Sequence, residues 1–103
     1  MNIYVSHARN AQYNFVQELY EPLEASNLAK FIFPHATNKY INSRELFQKH
    51  ECDLVLAECS YPATGQGIEI GWANILNVPI ICAYKTGSNV SSSAKNISQY
   101  IIE

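Results

Sequence analysis

The chain has 103 residues, of which 48% are hydrophobic, and its formal net charge is −2 at pH 7. This length and composition predict a single globular domain over residues 1–103 with a core of its own. With only seven lysines and arginines, the chain lacks the basic surface of nucleic-acid-binding proteins. No apolar run approaches the ~20 residues that cross a bilayer. We therefore expect neither a nucleic-acid nor a membrane partner.

The amino terminus and the cysteines favour a cytoplasmic protein. A predicted strand follows Met1 at once, without the charged segment of a signal peptide. Cys52, Cys59 and Cys82 are an odd set whose spacing fits no metal site, and the three histidines add no ligand spacing. We expect reduced thiols and no metal or other cofactor, with a catalytic Cys59 as the alternative.

Strands and helices alternate along the chain. Apolar runs predict strands over residues 2–6, 29–33, 53–58, 78–84 and 97–102. Helical spacing predicts helices over residues 10–26, 42–51 and 67–76, and one helical turn over 91–96. Asn10 and Asn42 are the expected N-caps of the first two helices, and Pro22 is expected to kink or restart the first. The third helix is expected to bury Ile68, Trp72, Ile75 and Leu76 and to end at Asn77.

The apolar residues of the third and fourth predicted strands are continuous rather than alternating. This pattern indicates burial on both faces, as in a parallel sheet whose connections are right-handed helical crossovers. In a strand order of 2-1-3-4-5, the carboxyl ends of strands 1, 3 and 4 meet at the topological switch point. Open α/β sheets bind their ligands there. The sequence therefore predicts an α/β fold with a ligand site at these strand ends.

The segment Gly65-Gln66-Gly67-Ile68-Glu69-Ile70-Gly71 follows the third strand and carries the main candidate. Glu69 is expected in the first turn of the third helix, where the helix dipole and free N–H groups stabilise an anion. The glycines allow close approach of backbone and ligand. We interpret Glu69 as a nucleophilic carboxylate, although an exposed first-turn glutamate would give the same local pattern.

Polar side chains follow two other strands at the same edge of the sheet. Ser6 and Arg9, after the first strand, could supply a hydroxyl and a guanidinium to an anion. His7 is expected at the surface, with a general-acid role as the alternative. Ser92, in the serine-rich segment after the fourth strand, suits phosphate, and a flexible polar loop is the alternative. Tyr61 could stack on a base, whereas the helical spacing of Trp72 predicts a core residue.

The run from Cys52 to Ala73 resembles the nucleoside 2-deoxyribosyltransferase family. The likeness continues through Val78–Tyr84 and includes Ile3-Tyr4-Val5. Glu45-Leu46, eight residues before Asp53, matches an acid-Leu pair of the 2'-deoxynucleoside 5'-monophosphate N-hydrolase branch. About half of the chain is covered, and the likeness is weak between Ala8 and Arg44.

This resemblance implies a flavodoxin-like three-layer fold, a homodimer, and cleavage of the N-glycosidic bond of a (deoxy)nucleoside or its 5'-monophosphate, with hydrolysis favoured over base exchange. Glu69 matches the family nucleophile, which attacks C1' to form a glycosyl-enzyme ester. Tyr4 matches the tyrosine that positions it. Gly65 and Gly67 match the turn that admits the sugar or phosphate. Ser92 falls near a serine that reaches the phosphate from the neighbouring subunit in the hydrolase branch.

Two departures from the family pattern leave other functions open. Ala63 stands where the transferases have an aspartate and the monophosphate hydrolases a serine, and Ser6-His7-Ala8-Arg9 replaces a Gly-Ser-x-Arg turn. The first alternative is a non-catalytic nucleotide-binding or signalling module on the same fold. A second is a phosphoribohydrolase related to the lysine-decarboxylase-like family, whose double glycine is missing here. A third is a Toll/interleukin-receptor-like NAD-cleaving domain, whose glutamate context is not matched.

Overall fold

The computed structural model of the chain describes residues 1–9, 13–36, 41–61 and 63–102. Within these residues a five-stranded sheet has the order β2-β1-β3-β4-β5, and every neighbouring pair is parallel. Its strands are β1 (Asn2–His7), β2 (Lys30–Ile32), β3 (Leu54–Glu58), β4 (Ile80–Ala83) and β5 (Tyr100–Ile102). The predicted α/β fold and strand order are confirmed.

Short helical segments connect the strands. A π-helix, Val16–Tyr20, runs directly into α1 (Glu21–Ser26), and α2 is Ser43–Gln48. The longest helix, α3, is Thr64–Ile75, and α4 is Ser92–Ile97. In the part of the chain that the structure describes, no helix is both long and apolar enough to span a membrane.

Local signals place two of the helix starts. The Asn42 side chain accepts a hydrogen bond from the Glu45 backbone N–H at 3.1 Å, so Asn42 is the predicted N-cap of α2. Pro22 is the second residue of α1, directly after the point where the helix changes from π to α geometry. The predicted interruption at this proline is thus a change of helix type within a continuous helical segment. Asn10, the other expected cap, lies outside the described residues.

The register of α3 differs from the prediction. The helix begins at Thr64, three residues earlier than expected, and it buries Gln66, Ile70 and Ala73. Of the expected core residues, Leu76 packs against the core, whereas Ile68, Trp72 and Ile75 are 49%, 36% and 77% exposed. The buried face combines the hydrogen-bonded Gln66 and the small Ala73 with Ile70, so apolarity alone did not identify this face. The prediction of Trp72 as a core residue was wrong.

The centre of the sheet is covered on both sides. Consecutive residues of β1 are buried, and so are Val55 and Ala57 of β3 and Ile80 and Cys82 of β4. This burial explains the continuous apolar runs in the sequence. All three cysteines are buried and form no disulfide. Burial raises the pKa of the Cys59 thiol, which disfavours the thiolate that a catalytic cysteine requires.

Candidate active site

Glu69 is held by two hydroxyl groups from β1. The Tyr4 hydroxyl donates to Glu69 Oε2 at 2.5 Å, and Ser6 Oγ donates to Glu69 Oε1 at 3.1 Å. Tyr4 is 1% exposed and Ser6 is fully buried, so both donors are fixed by the core of the sheet. One donor for each carboxylate oxygen orients Glu69, which is half-buried. The structure thus brings together three of the predicted site residues.

Tyr4 is constrained to act as a donor. Burial and the adjacent Glu69 carboxylate raise the pKa of the Tyr4 hydroxyl far above its usual value. The hydroxyl therefore keeps its proton and shares it with Glu69 in a charge-assisted hydrogen bond. The Tyr4 ring packs edge-on against Phe47 of α2, with ring centroids 5.3 Å apart. This packing fixes the direction in which the hydroxyl points.

The position of Glu69 in α3 corrects one premise of the sequence analysis. Because α3 begins at Thr64, its first turn carries no acidic residue and Glu69 lies in the second turn. The helix dipole acts mainly within the first turn. The contacts that hold the Glu69 carboxylate are therefore the side chains of Tyr4 and Ser6 rather than free N–H groups at the helix start.

Glu69 opens into a cavity of about 870 Å³. The cation of Arg9 lies in its wall. Gly65, about one helical turn before Glu69, lines the cavity without a side chain. A Cβ added to Gly65 would meet no atom within 4 Å, so this glycine faces open space. Other parts of the wall come from Pro34, His35, Ile41, Ser43, Ile68 and Trp72. The carboxylate is thus accessible in a cleft that has charged and apolar sides.

Gln66 ties the first turns of α3 to the strand ends. Its buried Nε2 donates to the carbonyl oxygens of Glu58 at 2.7 Å and Ser6 at 3.2 Å. These carbonyls lie at the ends of β3 and β1. Because Ser6 also donates to Glu69, Gln66 fixes the backbone of a residue that orients the carboxylate. Gln66 was not among the predicted site residues, since a glutamine between two glycines resembles an exposed residue.

Two predicted binding residues lie in a different cavity. Gly67 and Ser92 line a space of about 960 Å³ between the start of α3 and the start of α4. Ala63 lines both cavities, so the first turn of α3 separates them. Within one chain, Ser92 therefore does not share the Glu69 cavity with Arg9 and Gly65. Both glycines lie inside α3 rather than in a turn before it.

Tyr61 belongs to this second cavity and is already packed. Its ring lies 4.7 Å from the Tyr13 ring, and the Lys85 ammonium stands 5.2 Å and 5.5 Å from the two ring centroids. Lys85 also forms a 2.6 Å ion pair with Glu18. The chain thus supplies its own stacking partners for Tyr61, away from Glu69. The structure does not bring Tyr61 to the carboxylate as a surface for a base.

His7 is buried, which contradicts its predicted surface position. At the end of β1, its Nδ1–H donates to the Ala8 carbonyl at 2.8 Å, so Nε2 accepts from the Tyr20 hydroxyl at 2.5 Å. Rings of Phe15 and His35 lie 4.5 Å and 5.3 Å away. Burial lowers the pKa of His7 below its ordinary value. Because both ring nitrogens are hydrogen-bonded within the protein, His7 is better suited to fix the end of β1 against Tyr20 than to transfer a proton to a substrate.

The lowered pKa of His7 predicts a loss of stability in acid. The unfolded chain protonates this histidine with the ordinary pKa of 6.5, whereas the folded protein keeps it neutral to lower pH. Below that value the unfolded state binds more protons, so the free energy of unfolding falls as pH falls. Urea unfolding at pH 7.5 and 5.5 should show a loss of roughly 1 kcal/mol from this residue. The loss should shrink in His7→Gln and persist in His50→Gln, which alters an exposed histidine. Equal losses in both variants would contradict the assignment.

His35 and Trp72 line the Glu69 cavity but were not predicted to do so. His35 follows β2, in a region of the sequence without a recognisable motif, and burial and Arg9 lower its pKa. The signal for Trp72 was its spacing, three residues after Glu69, which places both on one face of α3. Among the described residues, no cluster of three His, Cys, Asp or Glu side chains could hold a metal ion.

The fold and the site together define the structural class of this chain. A parallel sheet of order β2-β1-β3-β4-β5 places its ligand site at the carboxyl ends of the central strands. Tyr4 and Ser6 of β1 and Glu69 of α3 meet at this edge. The chain is therefore an α/β domain with a carboxylate site at the switch point.

Two curated relatives are similar to about half of the chain. A protein of Syntrophotalea carbinolica with the provisional name 2'-deoxynucleoside 5'-phosphate N-hydrolase 1 is 39% identical over 54 residues, which are 52% of this chain and 38% of the relative. The 5-hydroxymethyl-dUMP N-hydrolase of Mus musculus is 35% identical over 57 residues, 55% of this chain and 33% of the relative. The chain thus matches 38% and 33% of the length of these two relatives, and no family model matches it.

A solved structure shares the whole fold. The CMP N-glycosidase BcmB of Clostridium botulinum superposes with a TM-score of 0.61, covering 100% of this chain and 89% of its own. At 23% sequence identity, this likeness shows the common fold. The resemblance predicted from the sequence is confirmed, since both curated relatives are named as N-hydrolases of deoxynucleotides.

Proposed function

We propose that this domain cleaves the N-glycosidic bond of a nucleoside 5'-monophosphate, with Glu69 as nucleophile. The observation that carries the proposal is the Glu69 carboxylate, held by Tyr4 and Ser6 at the mouth of a cavity large enough for a nucleotide. Support comes from the two relatives named as N-hydrolases and from a fold shared with a CMP N-glycosidase. A carboxylate so oriented can approach an anomeric carbon in line with the leaving base.

The proposed reaction has two displacements. A Glu69 oxygen attacks C1', the C1'–N bond breaks, and the base leaves with the bonding electrons and takes a proton from solvent. Water then attacks C1' of the glycosyl ester, releasing the sugar phosphate, a proton and the Glu69 carboxylate. Two displacements replace one difficult step, as in retaining glycosidases. We propose that water rather than a second base is the usual acceptor, because Ala63 offers no polar contact to an incoming base.

We also propose that two copies of the chain assemble the complete phosphate site. Arg9 and Gly65 lie in the cavity of Glu69, whereas Ser92 and Gly67 line the second cavity. A homodimer that places Ser92 of one copy beside the Glu69 cavity of the other would unite them. The resemblance implies this arrangement, and the separate location of Ser92 within one chain supports it.

The direct test is release of free base. The protein is incubated with purine and pyrimidine nucleosides and their monophosphates, and the products are separated by chromatography. We expect free base and sugar phosphate, and no new nucleotide when a second base is added. Transfer to the added base would instead identify a transferase. Nucleotide binding without base release would favour the non-catalytic module. That alternative is supported by Ala63, which replaces the polar residue of the family pattern.

The 5'-phosphate is expected to improve the substrate through Arg9. A charge-assisted contact of this type contributes about 1.5–3 kcal/mol, so kcat/KM for a monophosphate should exceed that for its nucleoside by about 10- to 150-fold. Arg9→Ala should remove most of this preference and leave nucleoside cleavage nearly unchanged. Lys30→Ala, which removes an exposed cation of β2, is the matched control. Equal rates for nucleoside and monophosphate would contradict the assignment of Arg9.

A further inference from the structure

Trp72 lies where the base of a bound nucleotide would be. Glu69 and Trp72 are three residues apart on α3, so both side chains lie on one face of the helix and line the same cavity. The base is bonded directly to the anomeric carbon that Glu69 would attack. The part of the cavity wall that lies next to Glu69, on the side opposite the phosphate, would therefore contact the base.

The order of residues along α3 matches the order of groups in a nucleotide. Gly65 precedes Glu69 by about one turn and faces open space, and Trp72 follows it by nearly one turn. At 1.5 Å per residue, Gly65 and Trp72 are about 10 Å apart along the axis. A phosphate beside Gly65 and Arg9 and a sugar beside Glu69 leave Trp72 for the base.

The surroundings of Trp72 suit a planar aromatic ligand. The ring is 36% exposed, whereas indole rings are usually well buried. The wall of the same cavity includes the apolar side chains of Ile68, one helical turn before Trp72, and Ile41. In the described part of the chain, no aromatic ring packs against Trp72, in contrast to Tyr61. An exposed apolar ring inside a cavity is typical of a stacking surface.

We propose that the nucleobase stacks on the Trp72 ring, so that a ligand with an aromatic base binds more tightly than one without. This inference rests on the proposed function, because it uses Glu69 to locate the sugar. It makes Trp72 a binding residue that contributes to affinity for any base with a π-face. Discrimination among bases would then come from other polar groups of the cavity wall.

The chain contains one tryptophan, so its fluorescence reports on this site alone. Glu69→Gln protein, which should bind nucleotides without consuming them, is titrated with nucleoside 5'-monophosphates and with ribose 5-phosphate, and binding is measured in parallel by calorimetry. We expect nucleotides to quench Trp72 fluorescence in a saturable way, and ribose 5-phosphate to bind without quenching. Nucleotides that fail to bind, or that bind without quenching, would overturn the proposal.

Variants give a second readout. Trp72→Leu should weaken nucleotide binding by about 5- to 150-fold and leave ribose 5-phosphate binding unchanged, whereas Trp72→Phe should keep most of the affinity. Because Trp72 is partly exposed, both variants should fold, which thermal unfolding checks. Normal base release with equal KM in Trp72→Leu would overturn the stacking role and leave the glycosidase intact. If nucleotides quench Trp72 fluorescence but the native protein releases no base, the stacking role stands and the glycosidase activity is rejected. An emission shift that follows protein concentration, not nucleotide, would assign the ring to a contact between copies.

Discussion

Replacing Glu69 with glutamine is expected to lower kcat for base release by about 10⁴-fold or more while nucleotide binding remains. The amide oxygen still accepts the Tyr4 hydrogen bond, so the local fold should persist, but it is neutral and a poor nucleophile. In the unaltered protein, acid quenching during the proposed turnover should trap the sugar phosphate on the peptide that contains Glu69. Mass spectrometry should find this adduct, and Glu69→Gln should not form it.

The control for this experiment is Glu24→Gln. Glu24 is an exposed carboxylate of α1 and undergoes the same loss of charge away from the cavity. Its kcat should equal that of the unaltered protein. Retained turnover in Glu69→Gln, or an adduct on a different peptide, would reject Glu69 as the nucleophile without rejecting the fold.

Tyr4→Phe should have the second largest effect, a fall in kcat of about 10- to 150-fold with KM nearly constant. The substitution removes the 2.5 Å hydrogen bond to Glu69 Oε2, and bonds to charged groups contribute about 1.5–3 kcal/mol. Phenylalanine keeps the edge-on packing with Phe47. Steady-state kinetics at saturating nucleotide provide the measurement, and Tm serves as the check on folding.

Ser6→Ala provides the comparison for Tyr4→Phe. Its hydrogen bond to Glu69 is longer, at 3.1 Å, so its effect on kcat should be smaller. Because the two hydroxyls hold one carboxylate, the double variant should lose less than the product of the single losses. If Tyr4→Phe leaves kcat unchanged, or if the two losses simply multiply, Tyr4 does not position Glu69.

The sheet was predictable because its residues obey a simple physical rule. Strands buried on both faces need apolar residues at consecutive positions, and residues 54–57 of β3 and 80–83 of β4 satisfy this. The capping side chain of Asn42 and the fixed φ of Pro22 likewise act locally, so their positions mark the starts of α2 and α1. The predicted meeting of β1 and Glu69 follows from parallel topology alone.

The details of α3 were not predictable for the opposite reason. Its start at Thr64 follows Ala63, which offers no capping side chain and so leaves no signal in the sequence. Gln66 is buried through hydrogen bonds to the strand ends rather than through apolarity. Trp72 is apolar yet lines a cavity, and a hydrophobic pattern cannot separate a core wall from a cavity wall. Ser92 and Glu69 line different cavities because the start of α3 lies between them, and this arrangement depends on tertiary packing rather than on local sequence.

Parallel pairing also determines when the Glu69 carboxylate can be oriented. The hydrogen bonds from Tyr4 and Ser6 to Glu69 join residues 65 and 63 positions apart, and the neighbouring strands of the described sheet are all paired in parallel. Such long-range closure is entropically costly and slows folding. A growing polypeptide therefore has no oriented carboxylate until α3 has been synthesised and docked on β1. The proposed nucleophile is thus held in place only after the two ends of this long segment have been brought together.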